Sequence, residues 1–214
     1  MRNLISFEGI DGAGKSTQIQ MLAAKYRSRH QPVVVVREPG GTELGESIRR
    51  LLLDSKGKMA IKAELLLFSA SRAQLINDTV FPALENHEVV IMDRFYDSTT
   101  AYQGYGRGVD VDMIDRINQF STDYLEPSVT FYLRLDPEGM MARKRSKDGE
   151  VGELDRMERA GIEFFKKVSD GYEMIAKKHP NRFCVLDASE PPDKIHERIC
   201  GELGRIKSRR PNWP

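Results

Sequence analysis

The residues best placed to do chemistry stand near the start of the chain. Gly9-Ile10-Asp11-Gly12-Ala13-Gly14-Lys15-Ser16-Thr17 fits G-x-x-x-x-G-K-[ST], a phosphate-binding loop. Glycines let the backbone bend tightly and turn its N–H groups toward phosphate oxygens, and the helix that follows adds its positive end. Lys15 supplies a mobile charge for β- and γ-phosphates, and Ser16 a hydroxyl for Mg²⁺. Further along, Asp93 closes the apolar run Val89–Met92, where a phosphate-loop protein keeps its magnesium-side carboxylate, and Arg94 beside it can clamp a phosphate. Arg37-Glu38-Pro39-Gly40-Gly41-Thr42 puts a charge pair, a rigid proline and two glycines after another apolar run. Read locally, it is either a ligand-binding strand end or a polar turn that starts a helix. Phe68 and Arg72, four apart on a helix, share a face and could stack a base and hydrogen-bond its edge. On spacing alone, a core phenylalanine beside a solvated arginine is the commoner arrangement.

These residues need elements to hold them. Asn3–Glu8 reads as a short buried strand, and a helix runs from Gly14 to about Arg29. Val33–Val36 is a continuous β-branched run, expected to be a strand buried on both faces. Leu44–Leu53 predicts a short helix with Ile48, Leu51 and Leu52 inward and Arg49 and Arg50 outward, and Ala60–Leu84 a long one. Strands are expected again at 88–94, 129–135 and 183–186, and helices at Asp110–Phe120, Asp155–Lys178 and Ile195–Ile206. Tyr96–Gly108, dense in hydroxyls, amides and glycine, suits binding more than packing. Met140–Gly152 passes from apolar to basic to glycine-rich, so it is either a mobile cover or a solvated charge run. Strands alternating with helices predict an α/β fold, a five-stranded, mostly parallel sheet with helices on both faces.

Composition narrows the function classes. A chain of 214 residues allows one domain with a full core. The net charge of +1 gives no bulk electrostatic case for nucleic acid or a membrane surface, so anion binding must be local. Cys184 and Cys200 stand too far apart for a metal knuckle, and a reducing, cytoplasmic compartment is expected. No apolar run approaches a membrane span, and with Met1-Arg2-Asn3 leading into the first strand no signal peptide is expected. His30, His87, His179 and His196 are expected at polar helix ends or turns without Cys or His partners, hence no zinc. Trp213, in a polar tail, has no assigned role.

Several motifs together resemble thymidylate kinase of the bacterial type, one of the P-loop nucleoside monophosphate kinases. They are Phe7-Glu8-Gly9 with the phosphate loop, Arg37–Thr42, Phe68 with Ser69-Ala70-Ser71-Arg72, Asp93-Arg94-Phe95, Ala101-Tyr102-Gln103-Gly104 and Leu154-Asp155-Arg156. They come in the family's order and cover the chain to about Tyr172. The resemblance implies a three-layer kinase fold with a short lid at about 143–154, and ATP- and Mg²⁺-dependent phosphorylation of dTMP. Phe68 would stack on thymine and Arg72 would bond its edge, with Thr99 and Gln103 completing recognition. Tyr102 would crowd the sugar 2′ position and Asp11 would accept from the 3′-OH. Arg37, Arg49 and Arg94 would surround the acceptor phosphate, near Glu38 and Pro39, with a cis Glu38–Pro39 bond as in similar enzymes. The phosphate loop here has no arginine, and Arg143 and Arg145 match the family's lid arginines. A homodimer is expected, as in similar enzymes, with the helix from Ala60 available for the interface. Two rivals share the scaffold's loop: a kinase for another nucleotide or nucleoside, and a regulatory switch or partitioning ATPase. Arginines gathered around an acceptor pocket argue against the second.

Overall fold

The computed structural model describes residues 3–54, 58–147, 156 and 160–209, and for 54, 144–147 and 209 the backbone alone. Five parallel strands form one sheet: β1 (Leu4–Glu8), β2 (Val33–Arg37), β3 (Val89–Asp93), β4 (Val129–Arg134) and β5 (Phe183–Asp187), in the order β2-β3-β1-β4-β5. Alternation along the strands splits the core. Ile5, Phe7, Val89, Ile91 and Phe131 face one side, packed with α1 (Lys15–Ser28), α8 (Ile162–Lys178) and α9 (Pro192–Arg209). Leu4, Val36, Val90 and Met92 face the other, under the end of α3 (Ile61–Leu75), a π-helical turn (Ile76–Val80) and α4 (Phe81–Glu85). The helix expected from Ala60 is therefore one helical run with a π turn inside it. Beyond the strands, α2 (Glu43–Asp54) and α6 (Val111–Thr122) pack on α3, α5 (Tyr96–Thr99) with a π-helical stretch (Thr100–Gly106) packs on α6 and α8, and α7 (Pro137–Lys147) meets α8. Asp110 caps α6, its carboxylate accepting the Met113 N–H at 2.8 Å.

Four expectations change. The strand at Val33–Val36 is a sheet edge, and Val35 is 40% exposed rather than buried on both sides. A β-branched run marks a strand but not its neighbours. Leu51 points outward from α2 at 57% exposure, whereas Ile48 and Leu52 are buried and Arg49 is half-buried. The helix read as starting at Asp155 begins at Ile162, after Gly161 at φ 84°; residues 155 and 157–159 lie outside the described residues. His196 sits inside α9, one turn before Cys200, whose Sγ is 3.4 Å from its Nε2.

The parallel register matters for the site. Phe7 and Arg37 both pair with Asp93, so β1, β3 and β2 end at one level. The loops leaving those three strands carry the phosphate loop, Asp93–Arg94 and Arg37–Gly41 to one crevice at the sheet's carboxyl end.

Candidate active site

The phosphate loop is shaped by close packing. Gly9 has φ 134°, and a Cβ there would lie 2.5 Å from the Leu133 carbonyl oxygen. Ile10 and Ala13 bury their side chains in the core and contribute backbone to the loop. Gly14 takes a left-handed conformation at φ 93°, and α1 starts at Lys15, with Ser16 and Thr17 in its first turn. The Lys15 ammonium is buried and donates to the carbonyls of Gly9 (2.9 Å) and Ile10 (3.1 Å). Burial and the nearby Arg94 charge lower its pKa to about 8, against the pull of Asp11, Asp93 and Glu8. Ser16 Oγ donates to Asp93 Oδ2 at 3.3 Å. A hydroxyl and a carboxylate side by side beneath a phosphate loop fit Mg²⁺, which takes few protein oxygens and fills its shell with water and phosphate. Among the described residues no group of three or more His, Cys, Asp or Glu gathers as a metal site.

Arg94 occupies the next position, in a left-handed conformation at φ 70° that bulky residues rarely adopt. The turn is fixed by its own N–H donating to the Phe7 carbonyl at 3.0 Å and by Glu8 below it. Glu8 is fully buried. Its Oε1 accepts the Phe95 N–H at 2.7 Å, and its Oε2 accepts the hydroxyls of Ser98 (2.6 Å) and Tyr172 (3.0 Å). Burial, with the Asp97 charge added, pushes the Glu8 carboxyl up to about 7, although the Ser98 hydrogen bond and Arg94 oppose this. The Arg94 guanidinium donates through Nη2 to Asp11 Oδ1 (2.7 Å) and the Tyr102 hydroxyl (3.3 Å), and through Nη1 to Ser98 (3.1 Å) and Tyr172 (3.3 Å). Glu8 stood out in the sequence only as part of Phe7-Glu8-Gly9, and Ser98 and Tyr172 carried no assigned role. A glutamate in an apolar strand was the one visible signal.

Two cavities meet at this arginine. One, of about 340 Å³, is the phosphate cleft over Lys15, Ser16 and Asp93, with Arg37 on its rim. The other, of about 120 Å³, lies between α2, α3 and the π-helical stretch, walled by Phe68, Arg72, Thr99, Tyr102 and Gln103. Asp11, Glu38, Arg49 and Arg94 line both. Arg37 is about half exposed, 3.5 Å from Glu46. Arg49 donates to the Pro39 carbonyl at 2.9 Å, and the Glu38–Pro39 bond is cis.

Inside the smaller cavity the polar groups are already paired. Arg72 is 1% exposed, so a solvated arginine is excluded. It donates to Glu38 (2.8 Å), Asn118 (3.0 Å) and Thr99 (2.6 Å), which engages three of its five N–H groups and fixes the guanidinium plane. Glu38 Oε1 is buried with no partner among the described residues, and burial raises its carboxyl despite Arg72. Gln103 donates to Glu64 at 2.8 Å. Phe68 is half-buried on the wall. Asn118 and Glu64 were missed in the sequence.

Arg143, on α7, reaches the other side of the phosphate loop and donates to the carbonyls of Gly12 (2.9 Å) and Ala188. The Arg145 side chain and residues 148–155 of the expected lid lie outside the described residues. Arg156 donates to the Leu52 carbonyl at 2.9 Å and pairs with Glu64.

A family model described as thymidylate kinase matches residues 7–199. A thymidylate kinase of Chlorobium chlorochromatii (strain CaD3) is 50% identical over 207 residues, covering 94% of this chain and 93% of that protein. One from Chlorobium phaeobacteroides (strain DSM 266 / SMG 266 / 2430) is 51% identical over 209 residues, covering 95% of each. The crystal structure of thymidylate kinase from Ehrlichia chaffeensis superposes with a TM-score of 0.76 at 36% identity, covering 94% of this chain and 97% of that one.

Proposed function

This chain belongs to the thymidylate kinase family and phosphorylates dTMP, and from that premise we propose how its residues divide the reaction. The observation that carries the division is the pair of cavities that meet at Asp11, Glu38, Arg49 and Arg94. ATP places its phosphates on the loop 9–17, and dTMP enters the smaller cavity with thymine against Phe68. An Arg72 N–H left over from its protein contacts donates to the base edge, with Thr99 and Gln103 beside it. Tyr102 blocks a 2′-hydroxyl, and Asp11 accepts from the 3′-hydroxyl. The 5′-phosphate then falls at the joint, among Arg37, Arg49 and Arg94, in line with the phosphoryl group to be transferred.

Such a transfer needs positioning and charge neutralisation more than covalent chemistry. A phosphate dianion is already nucleophilic, so no strong base is required. The arginines offset the repulsion between two polyphosphates. Lys15 faces the transferred group from one side, and Arg143 and Arg145 are assigned the other. Mg²⁺, held by Ser16 and Asp93, would neutralise charge on the ATP phosphates. The chain is read as one kinase unit, 1–214, with a lid at about 143–154 that excludes water. Exposed Ile61 and Leu66 on α3 and Met113 and Phe120 on α6 support a homodimer through that face. Two free thiols, Cys184 and Cys200, suit the reducing cytoplasm. Among the described residues no helix is long and apolar enough to cross a membrane.

The test is a panel of nucleoside monophosphates and nucleosides with ATP and Mg²⁺, read by coupled ADP release. dTMP should give the highest kcat/KM, with negligible turnover when no acceptor is present. A higher value for another acceptor, or ATP hydrolysis that dTMP does not stimulate, overturns the reading.

A further inference from the structure

Glu64, Phe68 and Arg72 recur every four residues along α3 and share one face. Phe68 and Arg72 line the acceptor cavity. Glu64 is 1% exposed, a buried charge that the reaction proposed above does not use. Its Oε1 accepts from Gln103 Nε2 at 2.8 Å and from Arg107 Nε at 3.3 Å, and its Oε2 pairs with Arg156. Burial alone would push this carboxyl up. The hydrogen bonds from Gln103 and Arg156 and the charges of Arg107 and Arg156 outweigh burial and hold it below the usual range. Glu64 is therefore ionised at neutral pH and accepts hydrogen bonds only.

That decides which way the Gln103 amide lies. An amide can turn either its NH₂ or its carbonyl toward a neighbour, but a carboxylate takes the NH₂ alone. Gln103 is 1% exposed and lines the cavity, so its carbonyl, to which no described residue donates, is the end left for a ligand. A fixed carbonyl pairs with a ring N–H. Facing a ring nitrogen lone pair, it leaves two acceptors opposed and unpaired, which a buried site penalises heavily.

We infer that Glu64 is a positioning residue for specificity: it orients Gln103 so that the pocket takes a pyrimidine protonated at N3, thymine or uracil, and rejects cytosine. The inference rests on the acceptor site proposed above. Arg107 and Arg156 leave Glu64 charged and so serve the same end. An uncharged residue at 64 would let the Gln103 amide turn over and offer its NH₂ to a cytosine-type nitrogen.

The experiment measures kcat/KM for dTMP and dCMP in the wild type, in Glu64→Gln and in Glu64→Asp. Glu64→Asp keeps the anion for both arginines but draws the acceptor back by one methylene, so it tests the idea even where Glu64→Gln does not fold. The dTMP-to-dCMP ratio is expected to fall roughly tenfold or more in the folded variants, the size of one misplaced hydrogen bond, with little change in KM for ATP. In a Gln103→Ala background the Glu64 substitutions should not change the ratio further. An unchanged ratio in folded variants with lowered Tm makes Glu64 a structural charge and overturns the inference. A wild type that does not phosphorylate dTMP overturns instead the function on which the inference rests.

Discussion

The acceptor pocket and the phosphate cleft share four residues and are built on opposite plans. In the pocket, the groups proposed to read the base are buried and already paired within the protein. Arg72 is held by Glu38, Asn118 and Thr99, and Gln103 by Glu64. In the cleft, Lys15 is buried on two carbonyls, but two of the arginines are held loosely. Arg37 is about half exposed, and Arg49 makes one hydrogen bond to the Pro39 carbonyl. The difference fits what each region is proposed to recognise. A base is told from its rivals by the direction of one or two hydrogen bonds, so the partners must be fixed in advance. A phosphoryl group in flight is recognised by charge, which tolerates mobile partners but needs several of them. Arg94 belongs to both plans: it is the cation proposed for the phosphate, and it is fixed by Asp11, Tyr102, Ser98 and Tyr172.

Arg94 is therefore the residue whose loss should cost most. Arg94→Ala should lower kcat by roughly 10³-fold or more, in the range of transition-state arginines, and raise KM for dTMP as well. Arg94→Lys should recover little, since an ammonium cannot serve four fixed partners in a plane. A Lys variant near wild-type activity would mean that the fixed geometry is irrelevant.

Arg143 comes next. If it acts as a lid cation, Arg143→Ala should lower kcat by about 10³ and leave both Michaelis constants nearly unchanged. A raised KM for ATP with kcat preserved would reassign it to holding the loop through the Gly12 carbonyl.

Phe68→Ala should affect only the pocket. Losing one base stack, worth roughly 1–3 kcal/mol, should raise KM for dTMP by about 5- to 150-fold and leave KM for ATP alone. Equal weakening of both substrates would make Phe68 plain core.

The smallest expected effect lies beneath both regions. Glu8 holds its proton more tightly folded, up to about 7, than unfolded, at 4.5. Its contribution is therefore complete below the unfolded pKa and is lost as pH rises through about 7. Glu8→Gln should flatten the decline in Tm between about pH 5 and pH 7. A decline of unchanged steepness in the variant assigns it to other groups.

What could be read from the sequence was local. The phosphate loop, Asp93–Arg94 and Arg37–Thr42 each carry their chemistry within a few residues, and parallel strands bring such segments to one end of the sheet by default. Phe68 and Arg72 were visible as one helix face. Glu64 continues that face but was passed over, because a lone glutamate on a helix ordinarily faces water. Its partners, Gln103 and Arg107, stand 39 and 43 residues away. The partners of Glu8 were hidden in the same way, since Ser98 and Tyr172 lie 90 and 164 residues from it. The edge position of β2 depends on strand order, which the run Val33–Val36 does not encode. The start of α8 was blurred because apolar spacing continues backward past Gly161.

A crystal structure with dTMP, Mg²⁺ and an unreactive ATP analogue tests the division of labour most directly. The expected result has thymine stacked on Phe68, the Gln103 carbonyl facing the ring N3–H, and the 5′-phosphate among Arg37, Arg49 and Arg94 in line with the terminal phosphate on the loop 9–17. A dTMP phosphate seated elsewhere, or a base outside the cavity walled by Phe68 and Arg72, would contradict it.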